Sequence, residues 1–156
     1  MLSFRTHLGL ALCAALLSHS AAAQSSAPHG LADPRGRWVT ASGNLEVEIA
    51  PCGAALCGTV TRVMGNRSMR RDGEAMVPAD PRPALGMQLL SGLVAEDGDA
   101  SPRTWRGQLY NRENATTYRC KLQVDTSAQA QGELVLRAYV GIPLFGQTQR
   151  WPRAPG

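Results

Sequence analysis

The side chains of this sequence that could do chemistry are carboxylates, cysteines and arginines, and one pair of carboxylates forms the first candidate site. Glu46 and Glu48 lie two residues apart, the spacing that puts both side chains on one face of a β-strand. Such a pair acts as general acid and general base only when its surroundings raise the pKa of one member. These two alternate with the apolar Leu45, Val47 and Ile49, so we assign them to the solvent face and predict no catalytic residue.

The sequence also predicts no metal and no cofactor. The acidic segment 97–99 is interpreted as a turn, because a calcium loop needs many more spaced oxygen ligands. Of the three histidines, His7 and His19 lie near the start of the chain, in a predicted signal peptide, and only His29 remains. One terminal imidazole builds neither a Ser-His-Asp triad nor a zinc site of several histidines. We therefore expect a protein that is not an enzyme.

The first 23 residues have the organisation of a secretory signal peptide. Arg5 lies in a short polar start, residues 8–17 are apolar throughout, and Ala21-Ala22-Ala23 forms the small-residue pattern of a cleavage site. The apolar run is shorter than the ~20 residues that cross a bilayer. We expect a signal peptide over 1–23, a flexible lead-in over 24–34 and a single domain over 35–156. The mature chain would have no transmembrane segment and a periplasmic or secreted location.

Three cysteines remain after the predicted cleavage, and the export signal places them in an oxidising compartment. Cys52 and Cys57 flank a short turn between two predicted strands, where opposed positions suit a disulfide. We therefore predict a Cys52–Cys57 disulfide that fixes the tip of a hairpin. Cys120 shares the apolar face of its strand, so it is either a buried free thiol or a reactive one.

A local basic cluster lies in a long irregular segment, residues 64–86. Arg67, Arg70 and Arg71 form the cluster, and the chain as a whole has a formal net charge of +4. Because an exported protein does not meet nucleic acid, no nucleic-acid partner is predicted. The cluster is either a solvated loop or a contact for anionic lipid headgroups or polysaccharide.

Short segments of alternating apolar and polar residues, bounded by Gly, Pro and Asn, dominate the rest of the chain and indicate β-strands. The predicted strands are 36–40, 44–51, 57–63, 87–94, 104–110, 116–125, 133–140 and 147–153. Their close spacing without helices predicts an all-β fold, a small antiparallel up-and-down β-barrel of about eight strands. The inward-facing side chains either line a pocket for a small ligand or fill a dry core. They are Leu45, Val47, Ile49, Trp105, Leu109, Tyr118, Leu122, Leu134 and Leu136.

Several motifs, taken together, resemble a family of small exported bacterial proteins, domain of unknown function 2147. The resemblance covers nearly the whole mature chain and implies a small lipocalin-like barrel without an established activity or known catalytic residues. The motifs that carry it are Gly36-Arg37-Trp38, the strand 45–49, Pro51-Cys52-Gly53, Leu56-Cys57-Gly58, Trp105-x-Gly107-x-Leu109-Tyr110, Thr117-Tyr118, Val140-Gly141-Ile142-Pro143-Leu144 and Gln149-x-Trp151-x-Arg153.

The lipocalin likeness implies how the barrel closes. Lipocalins carry Gly-x-Trp on the first strand, and an arginine of the last strand stacks on that tryptophan. Gly36, Trp38 and Arg153 match this pattern, and a guanidinium over an indole contributes ~0.5–2 kcal/mol, depending on burial. The alternative is that Trp38 is an ordinary core residue and Arg153 a surface charge.

These observations predict an exported, non-catalytic β-barrel that binds a small apolar or amphipathic ligand in the cell envelope. The alternative is a periplasmic protein-binding module, such as a protease inhibitor, with a filled barrel core. In that case the partner would be an envelope protein, and segment 24–34 or segment 64–86 would project into it.

Overall fold

The computed structural model describes residues 32–96, 103–127 and 132–156, and all named strands of this part form one antiparallel sheet in sequence order. The predicted all-β barrel is confirmed, and each predicted strand matches an observed one to within two residues at both ends. The strands are β1 (Gly36–Val39), β2 (Leu45–Cys52), β3 (Ala55–Val63), β4 (Gln88–Ala95), β5 (Trp105–Asn111), β6 (Thr116–Asp125), β7 (Glu133–Tyr139) and β8 (Gln147–Pro152).

The first and last strands bring the sheet nearly to closure. Trp38 of β1 forms an isolated antiparallel bridge with Arg153, just beyond β8. The amide of Ala154 also donates to the carbonyl of Arg37 at 2.9 Å. A barrel removes exposed strand edges, so this contact protects the backbone groups of β1 and β8 from other chains.

Two inward-facing glycines let the strands approach one another around the packed part of the barrel. A Cβ atom on Gly58 would lie 2.9 Å from the Cβ of Leu90, and one on Gly107 would lie 2.7 Å from Leu93 Cδ2. Both leucines are fully buried. Glycine at these two positions therefore makes the space that the core leucines of β4 occupy.

Strand direction divides the barrel into two ends. The β2–β3 hairpin and both chain termini of the barrel lie at one end, which we call the closed end. The connections 40–44, 64–87, 112–115 and 140–146 lie at the other, which we call the open end. Most buried apolar side chains form a single core inside the sheet. In the described part of the chain, no helix is long and apolar enough to cross a membrane.

Of the two glutamates of β2 that were predicted to face solvent, Glu46 does not. Glu48 is exposed as predicted, but Glu46 is buried. The pairing of β2 with β3 shifts register between Glu46 and Val47. Arg37 Nη1 donates to Glu46 Oε1 at 3.0 Å, and the Thr61 hydroxyl lies 3.4 Å from the same oxygen. This carboxylate is thus held by partners on the two neighbouring strands.

The predicted signal peptide 1–23 and most of the predicted lead-in 24–34 lie outside the described residues. The last residues of that lead-in, Asp33 and Pro34, lie against the barrel, and Pro34 is buried. The acidic turn at 97–99 also lies outside the described residues.

Candidate functional site

The open end of the barrel encloses a cavity of about 390 Å³. The ends of the strands nearest the open end form its wall. Residues 64–87, which we call the cover segment, form its roof. The lining is predominantly apolar. The strands contribute Leu45, Val63, Leu89, Leu109 and Trp151, and the cover segment contributes Met69, Met76, Pro78 and Ala84.

Two side chains from neighbouring loops hold the cover segment over the cavity. Glu113, in the β5–β6 turn, accepts hydrogen bonds from the Ser68 hydroxyl at 2.6 Å and from the Met69 amide at 3.1 Å. Asn44, just before β2, donates to the carbonyl of Arg67 at 2.7 Å and accepts from its amide at 2.9 Å. Both Asn44 and Glu113 are buried, so the groups with which they hold the cover segment are largely withdrawn from water.

The second half of the cover segment is attached through Asp80, which lies buried against β5. Its carboxylate accepts two bonds from Arg82 Nε at 3.0 Å and one from the Tyr110 hydroxyl at 2.6 Å. Because these donors, Arg82 first, favour the charged form, they lower the pKa of Asp80 well below its ordinary value. The same hydrogen bond to Asp80 raises the pKa of Tyr110. Asp80 and Glu113 therefore serve as anchors for the roof.

The polar groups on the cavity wall are mostly engaged with each other. The indole N–H of Trp151 donates to Gln149 Oε1 at 2.9 Å, and the amide of Glu113 donates to Asn111 Oδ1 at 2.9 Å. Within the described residues, the side-chain NH₂ of Gln149 makes no hydrogen bond. It is a donor that the cavity can offer to a bound molecule.

The predicted ligand-contacting residues divide into three groups by their surroundings in the structure. Leu45 and Leu109 line the cavity. Trp105 and Tyr118 are partly buried and lie outside its lining, and the Tyr118 hydroxyl accepts a bond from Asn114. The remaining five are at most 1% exposed and belong to the packed core below the cavity: Val47, Ile49, Leu122, Leu134 and Leu136. Alternation along a strand separates inward from outward positions, but it carries no information about height along the barrel.

Several cavity residues have no counterpart among the predicted ones. The period-two alternation of β8 is the signal that could have identified Trp151 as an inward-facing residue. Met69 and Met76 belong to the irregular cover segment, where no periodicity marks a buried side. Asn44 begins a predicted strand and Glu113 lies between two predicted strands, and only the tertiary structure shows that they hold the roof.

The structure brings Trp38 and Arg153 together at the closing strands. The guanidinium carbon of Arg153 lies 4.2 Å from the centre of the Trp38 ring. Arg153 also donates to the carbonyls of Asp33 at 3.0 Å and Arg35 at 3.3 Å, and the Trp38 indole donates to the carbonyl of Pro34 at 2.7 Å. The segment before β1 is thereby tied to the end of β8 across the closed end.

The three cysteines of the barrel form one disulfide and one free thiol. The Cys52–Cys57 disulfide is confirmed, with a Cα–Cα distance of 5.7 Å at the β2–β3 hairpin. Cys120 is buried and free. Burial raises the pKa of its thiol to about 12, since the apolar core disfavours the thiolate.

We expect the Cys120 thiol of the folded protein to resist thiol reagents. Its raised pKa lowers the thiolate fraction at pH 8 by about three orders of magnitude relative to an exposed cysteine. Labelling of the chain without residues 1–23, which contain Cys13, should therefore be very slow in buffer and should reach one thiol per chain in denaturant. Rapid labelling of the native protein would contradict this assignment.

The same shift has a consequence for stability at alkaline pH. Because the folded state raises the thiol pKa, the stabilising contribution is fully present below about pH 8.5 and is lost as the pH rises towards 12. The Cys120→Ala variant should lack this component of the alkaline loss, which urea unfolding at a series of pH values would measure.

An eight-stranded antiparallel barrel closed by an arginine over a first-strand tryptophan, with a cavity at its open end, defines a lipocalin-like protein. The chain belongs to the DUF2147 family, described as uncharacterized proteins conserved in bacteria, whose family model matches residues 36–153. It is also similar to a solved structure, protein HP1028 from Helicobacter pylori, described as belonging to the lipocalin family. The TM-score is 0.55 at 19% identity, over 80% of this chain and 84% of that one. At this identity the likeness establishes the fold. No curated protein matches the chain.

Proposed function

We propose that this protein is an exported, non-catalytic carrier or sensor that binds a small apolar or amphipathic ligand in the cell envelope. The observation that carries the proposal is the cavity of about 390 Å³ under the cover segment. This volume lies in the range of small-molecule sites, about 300–1,000 Å³, and its apolar lining with a few polar groups is typical of such sites.

The lining indicates the chemistry of the ligand. Leu45, Leu89 and Leu109 form an apolar wall, and two methionines of the roof supply flexible side chains that adapt to different shapes. The NH₂ group of Gln149 is the unused donor. A ligand with an apolar body and one hydrogen-bond acceptor fits this arrangement.

The absence of catalysis is supported by what the buried carboxylates near the cavity do. Glu113 accepts bonds from the cover segment, and Asp80 accepts bonds from Arg82 and Tyr110. Export is supported by the predicted signal peptide and by the Cys52–Cys57 disulfide, since disulfides persist in oxidising compartments.

The alternative, a protease inhibitor or similar module, receives less support. A protein-binding module of this kind was expected to have a filled barrel core and a segment that projects into its partner. The barrel is hollow near its open end, and the cover segment is held at Asn44, Glu113 and Tyr110 rather than projecting. The other segment proposed to project, 24–34, lies mostly outside the described residues.

The proposal is tested by measuring probe binding to the wild type and to variants in which a larger side chain fills the cavity. A small fluorescent apolar probe, 1-aminoanthracene, should bind saturably and should be displaced by components of an envelope lipid extract. Leu109→Phe on the wall and Ala84→Phe in the roof should each weaken probe binding by at least about tenfold, because the added ring takes up ligand space.

Val94→Phe is the matched control, since Val94 is 44% exposed on the outside of β4. It should leave probe affinity unchanged. Absence of saturable binding, together with no retained molecule in native mass spectrometry after exposure to lipid extract, would overturn the proposal.

A further inference from the structure

The connection between β7 and β8 presents exposed apolar side chains at the open end. Val140, Ile142, Leu144 and Phe145 are 73%, 53%, 75% and 78% exposed. Scattered apolar residues are normal on a protein surface, but a contiguous group indicates an interaction site. We call residues 140–146 the apolar tip.

The apolar tip is held in a fixed conformation by a side chain of the neighbouring strand β7. Arg137 donates from its guanidinium to the carbonyls of Pro143 at 2.5 Å and Leu144 at 2.9 Å, and to the Thr148 hydroxyl at 2.7 Å. A Cβ on Gly146 would lie 2.6 Å from the carbonyl oxygen of Ala138, so the chain packs closely here. Because the apolar tip is already ordered, it loses little conformational entropy when it binds a partner.

The cover segment adds further apolar surface at the same end of the barrel. Met64, Met69, Val77 and Leu85 are between 42% and 72% exposed. Among the large apolar side chains exposed in the described part of the chain, Val94 alone lies away from this end.

The charge around this surface is positive. Segments 40–46, 61–87, 111–119 and 137–147 surround the open end and hold eight arginines and five carboxylates. Two of these carboxylates form ion pairs with arginines of the cover segment, at Glu74 and Asp80, and Glu113 is buried. Arg62 and Arg70 are exposed and form no ion pair within the described residues. The net positive excess matches an anionic partner.

We propose that the open end docks on an anionic lipid bilayer. Leu144 and Phe145 enter the interfacial region, and the surrounding arginines lie at the headgroups. Apolar insertion and basic residues together give the two signals that reversible membrane attachment requires. The cavity lies at the same end of the barrel, beneath the cover segment. The docking itself does not depend on the proposed ligand binding.

Flotation with lipid vesicles tests this proposal. Intact mass of the purified protein first establishes that residues 8–17 are removed, since that apolar run would bind bilayers by itself. Binding is then measured on vesicles of phosphatidylcholine alone and on vesicles with about 30% phosphatidylglycerol. We expect the partition coefficient to be at least about tenfold higher on the anionic vesicles and to fall as salt is added.

Two pairs of variants separate the apolar and the electrostatic contributions. Leu144→Ser with Phe145→Ser should lower binding by at least about tenfold, because two large apolar side chains no longer insert. Arg62→Gln with Arg70→Gln should lower binding to anionic vesicles by about tenfold. The control Val94→Ser removes an exposed apolar side chain away from the open end, and Arg103→Gln with Arg106→Gln removes two arginines that also lie away from it. Both controls should leave binding unchanged.

Three outcomes would overturn the docking proposal. They are absence of vesicle binding, binding that is insensitive to the tip variant, and a self-associated wild-type protein that becomes monomeric when the tip is changed. The last would assign the tip to contact between copies of this chain. Probe binding in the cavity should be unchanged in the tip variant, so failure of docking and failure of ligand binding are distinguishable.

Discussion

Replacing Trp38 with alanine is expected to lower the free energy of unfolding by about 3–5 kcal/mol, the usual cost of removing a large buried aromatic side chain. Trp38 is fully buried. It packs in the core, stacks under the Arg153 guanidinium and donates to the carbonyl of Pro34. The substitution therefore removes core volume, the stack that joins β1 to the residue after β8, and the hydrogen bond to the segment before β1. Urea unfolding followed by far-ultraviolet circular dichroism would measure the change.

A second pair of variants separates packing from hydrogen bonding in this prediction. Trp38→Phe keeps a ring under Arg153 but removes the indole N–H, so we expect a loss of about 1–3 kcal/mol. Trp105→Phe is the matched control, because the buried N–H of Trp105 has no hydrogen-bond partner in the described part of the chain. It should cost less than Trp38→Phe. Equal losses for the two variants would show that the bond to Pro34 contributes nothing.

The strands of this barrel could be predicted from the sequence because each one carries its own signal. In β6, Tyr118, Cys120, Leu122 and Val124 alternate with polar residues, and the observed strand Thr116–Asp125 follows this alternation. Turn-forming residues mark most strand ends. The pairing of β1 with β8 has no such local signal, since Trp38 and Arg153 lie at opposite ends of the domain. The lipocalin pattern indicated it instead.

The cavity could be predicted only in part, because it depends on contacts between distant residues. Asn44 and Arg67 are 23 residues apart, and Ser68 and Glu113 are 45 apart. Sequence alone shows a long irregular segment with prolines and arginines, which is equally typical of a solvated loop. That the segment folds over the barrel follows from two buried polar side chains outside it. Their role becomes visible only once the strands bring the loops to the same end.

Replacing Glu113 with alanine is expected to increase tryptic cleavage after Arg70 and Arg71 by about tenfold or more. The Glu113 carboxylate holds the Ser68 hydroxyl and the Met69 amide. The Ser68 oxygen in turn accepts bonds from the amides of Arg70 and Arg71 at 3.1 Å and 2.9 Å. Loss of the carboxylate leaves buried donors unpaired, which favours local opening of the cover segment over global unfolding.

Two further variants show whether the effect belongs to the hydrogen bonds or to the charge. Glu113→Gln keeps one carbonyl acceptor, so its cleavage rate should lie between those of the wild type and the alanine variant. Glu48→Ala removes an exposed carboxylate from β2 and should leave the cleavage rate unchanged. If all three variants are cleaved like the wild type, the roof is not held by Glu113.

A probe bound in the cavity should protect the peptide bonds after Arg70 and Arg71 from trypsin. This protection tests whether the cover segment closes the cavity. If cleavage requires opening and only the closed form binds the probe, saturation slows cleavage by a factor of one plus the ratio of free probe to its Kd. At about 100 times Kd the wild type should be cleaved about 100-fold more slowly. The alanine variant at Glu113 opens more readily, so its apparent Kd for the probe should rise by a factor of one plus its ratio of open to closed populations. Cleavage that is indifferent to the probe would place the bound probe outside the cavity that the cover segment closes.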